Sequence, residues 1–378
     1  LLCEGGRLAL ITSGSWVRAN FGAPLRKYLA ENAAMESMID FGEFQPFEDA
    51  EMVRPTITVL TKRQTGGPMR LFKWLVSGRP PENLSEVIAA ARTMRTDHLG
   101  TDAWELETDD VLTLRKKLAE CGQPLKNYCG DIFRGVTTGA NDVFVIGGQL
   151  RDELIANDPR STEIIKPFVQ GTHLRPWYME QSGEFLIFPR RGICIEDYPS
   201  VLAYLESHRP SLEPKPREWS AGKNWPGRKP GAYKWYEIQD TVDYWQGFEK
   251  PKIVWPDITK LPRFSMDKQG HFLGNTGYII PVADYYLLGV LASWTTWFYI
   301  SKTAQPLRLR ADRWQYRLIA QFMENVPIPD ATAADRQLIG ALAECCCALG
   351  TERYELQTAV QHRLRTFCEQ GELNQKAQ

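Results

Sequence analysis

The chain has 378 residues, enough for two or three domains and a sizeable buried core. A formal net charge of −1 excludes a polycation, so any grip on nucleic acid must come from local basic clusters. With 43% hydrophobic residues the composition is that of an ordinary globular protein, and no stretch reaches the roughly 18 consecutive apolar residues of a transmembrane helix.

Leu1 to Ile11 has no basic n-region, no small-residue cleavage site and no initiator Met; it reads as the interior of a longer polypeptide, entered just before a strand. Residues 1–62 alternate strand, helix, strand, strand. "RLALIT" is a short apolar run. "GAPLRKYLAEN" carries Leu25, Tyr28 and Leu29 at helical spacing, with Pro24 in the first turn where a missing N–H costs nothing. "ESMIDFG" and "TITVLTK" read as buried strands. The intervening helix is long enough for a crossover, which predicts that the first two strands run parallel at the edge of a doubly wound, Rossmann-like α/β sheet.

Residues 65–120 form a bridge: a strand at "MRLFKWL", a helix from Pro80-Pro81 to Arg92, and a helix over Asp109 to Glu120. From Cys121 to about 330 aromatic, Gly and Pro content rises and strands shorten, predicting a mixed α+β domain with long loops. "DVFVI" is expected as a strand and Asp284 to Ser301 as one buried helix. The Pro- and Gly-rich stretch 210–231 is too long for an ordinary connection. Residues 331–378 read as a helical hairpin broken at Gly350, with Leu338, Leu342, Cys345 and Leu349 on one face and Leu356, Val360 and Leu364 on another.

Few residues suggest chemistry. The eight cysteines form no CxxC pair and have no His at ligand spacing, and the five histidines are scattered; metal and triad chemistry lack support, and reduced cytoplasmic thiols are expected. Asp257 and Glu249 stand in the wrong order for a nuclease and read as structural salt-bridge partners. "GVTTGAN" (135–141) lacks the ending of a phosphate loop; a plain turn and an anion contact through Thr138 and Asn141 are the alternatives. The stronger signal is the basic, aromatic loop, where Lys223, Arg228, Lys229 and Lys234 interleave with Trp219, Trp225, Tyr233, Trp235 and Tyr236. Such a loop can bridge phosphates and enter a groove, or sit in solvent with its Trp residues capping the core. A second cluster, Arg308, Arg310, Arg313 and Arg317, places the last three on one face if helical. It is either a DNA contact or a solvated face.

Several blocks carry a family resemblance. "GVTTGANDVFVI", "EIIKPF", "FEKPKIVWPDI", "PRF", "YLLGVLAS" and "VPIP" occur in an order that resembles the TaqI-like target-recognition domain of adenine-specific DNA methyltransferases. "GGRLALITSGSWVRANFGAPLRKYLAEN" and "IDFGEFQPFEDAEMVRPTITVLTK" resemble the last third of the catalytic domain in type IIG-like enzymes of restriction-modification systems. The resemblance implies the C-terminal end of a methyltransferase domain over 1–64, a bridge over 65–120, a target-recognition domain over 121–330 and C-terminal helices over 331–378. It implies a partner, double-stranded DNA, and an upstream catalytic half of the same protein. It implies S-adenosylmethionine as cofactor of the intact enzyme.

The glycine-rich cofactor motif and the Asn/Asp-Pro-Pro-Tyr motif of that family do not occur here, so this segment is expected to bind no cofactor and to be inactive by itself. One position carries over. Phe47, in "QPFEDAEMVRPTI", matches the aromatic that stacks on the flipped-out adenine. Two rivals remain: a stand-alone, non-enzymatic DNA-binding specificity module, and an aromatic-lined carbohydrate or peptide binder.

Overall fold

The computed structural model describes residues 2–42, 47, 55–63, 67–74, 83–219, 224–310 and 313–376, with backbone alone for 84, 87, 88, 305, 309 and 368–376. The chain divides into two compact units, residues 1–120 with 307–315, and residues 121–306 with 316–378. Among the described residues no helix is long and apolar enough to cross a membrane.

In the first unit strands β1 (Arg7–Ser13), β2 (Ala33–Asp40), β3 (Pro55–Lys62), β4 (Met69–Lys73) and β5 (Arg92–Met94) form one sheet in the order β1-β3-β2-β4-β5. β1 and β2 are both antiparallel to β3, so they run parallel to each other as the crossover helix Ala23–Asn32 requires, with β3 inserted between them. Met35, Met38, Leu60, Met69, Leu71 and Met94 bury one face together with Trp16 and Trp104, whose rings meet edge to face at 5.3 Å. Arg26 is buried and satisfied by the carbonyls of Trp16, Ala19 and Thr101. β1 is the exception to burial: it is an edge strand, and Leu10 and Ile11 are each 48% exposed.

The bridge follows expectation in β4 and in the helix Asp109–Glu120, whose first turn carries Asp109 and Asp110 at the positive end of the helix dipole. The helix expected up to Arg92 is shorter. It covers Leu84–Ala89, and β5 already begins at Arg92, while Pro80-Pro81 lies outside the described residues.

In the second unit the strands are β6 (Gly122–Pro124), β7 (Phe133–Arg134), β8 (Val145–Gly147), β9 (Ile165–Val169), β10 (Glu184–Ile187), β11 (Lys252–Pro256), β12 (Ile258–Thr259), β13 (Ser265–Asp267), β14 (Phe272–Leu273), β15 (Gly277–Ile280) and β18 (Pro327–Pro329), while β16 (Gln305–Arg310) and β17 (Arg313–Arg317) each have residues in both units. They form small sheets, of which the one ordered β13-β11-β15-β7 is central. Every residue of β11 and β15 is buried, because each face of this sheet meets a different core. Val254 and Ile279 point to a core with Phe168, Leu186, Phe248 and Phe272. Ile253, Trp255 and Ile280 point to a second core with Phe264, Leu287, Leu291 and Ile300. Burial on both faces explains why "KIVWP" and "GYII" are continuous apolar runs and not alternating ones.

Three expectations are corrected. The apolar stretch 284–301 is two helices, Tyr285–Ala292 and Trp294–Thr303. Ser293 takes an extended backbone between them, and its Oγ accepts the Thr296 N–H as the cap of the second. "DVFVI" is half helix: residues Asn141–Phe144 form a turn of helix before β8. The C-terminal hairpin is instead one helix, Ala333–Lys376, in which Gly350 is no break. A Cβ there would lie 3.1 Å from Cδ1 of Tyr178, so this glycine serves close packing against the body of the unit.

Candidate nucleic-acid interface

The segment 135–141 is built as an internal turn. Thr138 is buried, its Oγ1 donates to Asn141 Oδ1 at 2.6 Å and accepts from the Ala140 N–H at 3.1 Å. Thr137 and Asp240 are locked by two bonds, the Thr137 N–H to the Asp240 carboxylate at 2.9 Å and the Asp240 N–H to the Thr137 carbonyl at 3.2 Å. Gly139 has φ +81°, and a Cβ on Gly135 would fall 2.0 Å from the Gly274 carbonyl oxygen. Of the two alternatives for this segment, the geometry favours the turn: Thr138 has spent its hydroxyl internally, while Asn141 remains at the exposed rim. Gly135→Ala is expected to lower stability by about 2–3 kcal/mol, as overpacking against backbone does, and a chemical-denaturation midpoint checks it.

Arg228 holds this turn from below. It is 3% exposed, and its guanidinium donates to five carbonyls: Leu212 at 2.7 Å, Thr138 at 3.0 Å, Glu237 at 2.7 Å, Lys234 at 3.2 Å and Trp235 at 2.8 Å. Its plane also stands over the Tyr233 ring at 4.4 Å. Burial pulls its pKa below the ordinary arginine value, yet an arginine stays charged across the working range. Arg228 therefore belongs to the interior, and the surface cation expected at this position is absent. The loop it anchors is closed at its base by bonds between Glu213 and Arg228 and between Lys215 and Arg228, at 2.9 and 3.0 Å. Trp225 Nε1 donates to the Glu213 carbonyl at 3.0 Å and its ring meets Trp219 at 4.8 Å. Lys223 lies outside the described residues.

Cations do remain on the surface of this region. Arg217, Lys229 and Lys234 are exposed. Lys234 Nζ donates to the Tyr236 hydroxyl at 2.9 Å, and this bond raises its pKa. Arg209 lies over the Trp235 ring at 4.7 Å while paired with Glu213.

The second arginine cluster is a β-hairpin, not a helix. "QPLRLR" and "RWQYR" alternate with period two, the signal of a strand, and form β16 and β17. Arg308 and Arg310 therefore share one side of β16, and Arg313 and Arg317 one side of β17, all four exposed. Arg308 Nε donates to Gln315 Oε1 at 2.9 Å. β17 pairs with β12, which sets Arg317 opposite Ile258. Here the second unit gathers charge that sequence reasoning did not assemble. Burial raises the Asp257 carboxyl above its usual range, and Arg134 and Arg317 pull it back. Arg134 is exposed at the end of β7, with Nε donating to the Asn275 carbonyl at 3.1 Å. The signal for Arg134 was its place directly before "GVTTGAN"; only the pairing of β15 with β7, remote in sequence, could bring it beside Asp257.

Glu249 is bound to Lys166 at 2.6 Å, as its reading as a structural ion-pair residue required. Among the described residues no cluster of His, Cys, Asp and Glu is suited to hold a metal ion. Phe47 is described and 46% exposed; residues 43–46 and 48–54 around it lie outside the described residues, so no pocket is assigned to it.

What these features define is a mixed α+β module with two cores, exposed cations at its surface and no cluster suited to hold a metal ion among its described residues. Two stretches of the chain match models of known families. Residues 166–328 match the TaqI-like C-terminal specificity domain, and residues 1–47 match the Eco57I restriction-modification methylase. The resemblance read from the blocks "EIIKPF" to "VPIP" stands in these two matches. The chain is 25% identical over 397 aligned residues to the type II methyltransferase M.BanIII of Aneurinibacillus aneurinilyticus, covering 91% of this chain and 64% of that protein. It is 21% identical to the type II methyltransferase M.BstVI of Geobacillus stearothermophilus, covering 87% and 59%. It thus spans about three fifths of the length of these relatives. The fold is shared with the type IIL restriction-modification enzyme MmeI, solved in complex with DNA, at a TM-score of 0.51 and 14% identity over 89% of this chain and 41% of that one.

Proposed function

We propose that the chain is the target-recognition part of an S-adenosylmethionine-dependent, adenine-specific DNA methyltransferase of a restriction-modification system, and that it binds double-stranded DNA. The observation that carries this reading is order along one chain: a methylase-family segment at 1–47, then a specificity domain at 166–328. The open edge of the first unit supports it. An apolar edge strand with Leu10 and Ile11 half exposed is where a larger, Rossmann-like sheet would continue into an upstream catalytic half. In this reading Phe47 forms one wall of the pocket for the flipped base, and the intact enzyme takes the cofactor through motifs that this sequence does not contain. The segment alone transfers no methyl group; labelled methyl transfer to DNA from S-adenosylmethionine by this chain would overturn that part.

Duplex contact is assigned to the exposed cations Arg217, Lys229, Lys234, Arg308, Arg310, Arg313 and Arg317, with Asn141 at the rim of the turn. Each phosphate neutralised by a cation releases counterions, so affinity should fall steeply with salt. Lys229→Ala with Lys234→Ala is expected to weaken binding to duplexes of any sequence and to reduce the log–log salt slope by about 1 for each phosphate that is no longer neutralised. Fluorescence anisotropy across a salt series reads both quantities. An unchanged slope removes these lysines from the interface, and absence of duplex binding at low salt by the unmodified chain overturns the function itself.

A further inference from the structure

Among its described side chains, the helix Ala333–Lys376 rests on the second unit only through its first half. Ile339 and Ala343 meet Gly289, Cys347 joins the core around Leu287, and Tyr354 lies against Tyr178 with ring centroids 5.6 Å apart. From Glu355 to Phe367 every side chain is exposed. One stripe along the helix is exposed and apolar. Leu338, Leu342, Leu349, Leu356, Val360, Leu364 and Phe367 are 56–76% exposed. Their spacing follows an eleven-residue repeat: Leu338, Leu349, Val360; Leu356, Phe367; and Leu342, Leu364 at twice that interval. Eleven residues make three turns of nearly straight helix, so these side chains form one straight stripe that runs off the body of the unit. A lone helix in water gains nothing from such a stripe unless it is covered.

We propose that the stripe is covered by the same stripe of a second copy of this chain, the two helices antiparallel with a two-fold axis beside Thr358. Charge selects this occupant. Glu352 and Arg363 are three turns apart on the same flank of the stripe, and antiparallel pairing sets flank against like flank. Glu352 then meets Arg363 of the second copy, and symmetry makes the contact twice. The same register sets Leu349 against Phe367, and Leu356 against Val360, of the second copy. It uses the halves that carry no body and leaves the two bodies at opposite ends of the pair. An isologous contact of this kind closes on itself as a dimer. The five apolar side chains within this register, Leu349, Leu356, Val360, Leu364 and Phe367, present on the order of 550 Å² of exposed surface, near the roughly 600 Å² per partner at the lower end of standard stable interfaces.

Pairing of the two helices does not depend on DNA binding, and its test needs no DNA. Sedimentation velocity of the 378-residue chain should show a concentration-dependent dimer, and Leu356→Glu should abolish it while far-UV circular dichroism stays unchanged. Glu352→Arg and Arg363→Glu should each weaken the dimer by about tenfold, through like charges brought together, and the double swap should restore it. A monomer at every concentration, or a dimer indifferent to Leu356→Glu, overturns the proposal. A dimer lost in Leu356→Glu that the double swap leaves weakened overturns the antiparallel pairing.

Discussion

Replacing Arg228 with Met is expected to destabilise the second unit by about 4 kcal/mol, since each buried acceptor left without its donor costs on the order of 1–3 kcal/mol and some of the carbonyls will relax to other partners. Five carbonyls from three stretches of chain converge on this one guanidinium: Leu212 before the loop, Thr138 in the turn, and Lys234, Trp235 and Glu237 after the loop. The side chain is the common fastener of the turn and the loop base. Lys is no substitute, because a single ammonium cannot reproduce the planar fork that serves five acceptors. Lys229→Ala, next in sequence and exposed, should stay within about 0.5 kcal/mol of the parent. Urea denaturation distinguishes the two. A loss below about 1 kcal/mol in Arg228→Met would show that these bonds are replaced by water at little cost and that the anchoring role is wrong.

The contrast between Arg228 and Lys229 shows what the sequence can and cannot carry. In a run such as "GRKPGAYKWY" every cation looks alike, because composition reports charge and not burial. Which cation turns inward is decided by carbonyls that come together only when the chain folds, one of them, that of Thr138, ninety residues away. The second arginine cluster was legible. "LRLR" and "RWQYR" alternate with the period of a strand, and spacing the arginines on a helix overlooked it. Gly350 misled in the opposite sense. A glycine near the middle of a helical pattern suggests a break, but here it makes room for Tyr178, and packing overrides propensity.

The larger organisation was more accessible. The crossover helix Ala23–Asn32 and the parallel sense of β1 and β2 follow from local pattern and chain length, and the structure shows both. The order of motif blocks was enough to identify the specificity domain, because a sequence of short matches at fixed order is far more constrained than any one of them. The surroundings of Asp257 were beyond reach, since Arg134 arrives through the pairing of β15 with β7 and Arg317 through that of β12 with β17. No residue-by-residue reading supplies pairings of strands so far apart in the chain.

A buried ion pair that sequence reasoning did not single out should govern acid stability. Lys252 and Asp267 are both fully buried, and they bridge the neighbouring strands β11 and β13. The ammonium also donates to the Phe248 carbonyl, and the carboxylate accepts from the Gln269 and His271 N–H groups at 2.8 Å and from the His271 ring at 3.1 Å. Burial alone would push the Asp267 carboxyl upward; the bond from His271 and the charge of Lys252 outweigh it and hold the pKa below the ordinary aspartate value. A carboxyl that is more acidic folded than unfolded contributes stability above about pH 4, its unfolded pKa. That contribution drains away as pH falls from there through the folded pKa. Asp267→Ala should therefore cost about 3–5 kcal/mol at neutral pH, because it strands a buried ammonium, and it should flatten the acid limb of the stability curve. Lys252→Met combined with Asp267→Ala should cost less than the sum of the single changes, since the combination leaves no uncompensated charge inside. Denaturant titrations from neutral pH to about pH 3 read both effects. An acid limb as steep in Asp267→Ala as in the parent would assign the acid sensitivity to other carboxylates, and additive single changes would show that the two charges do not act as a pair.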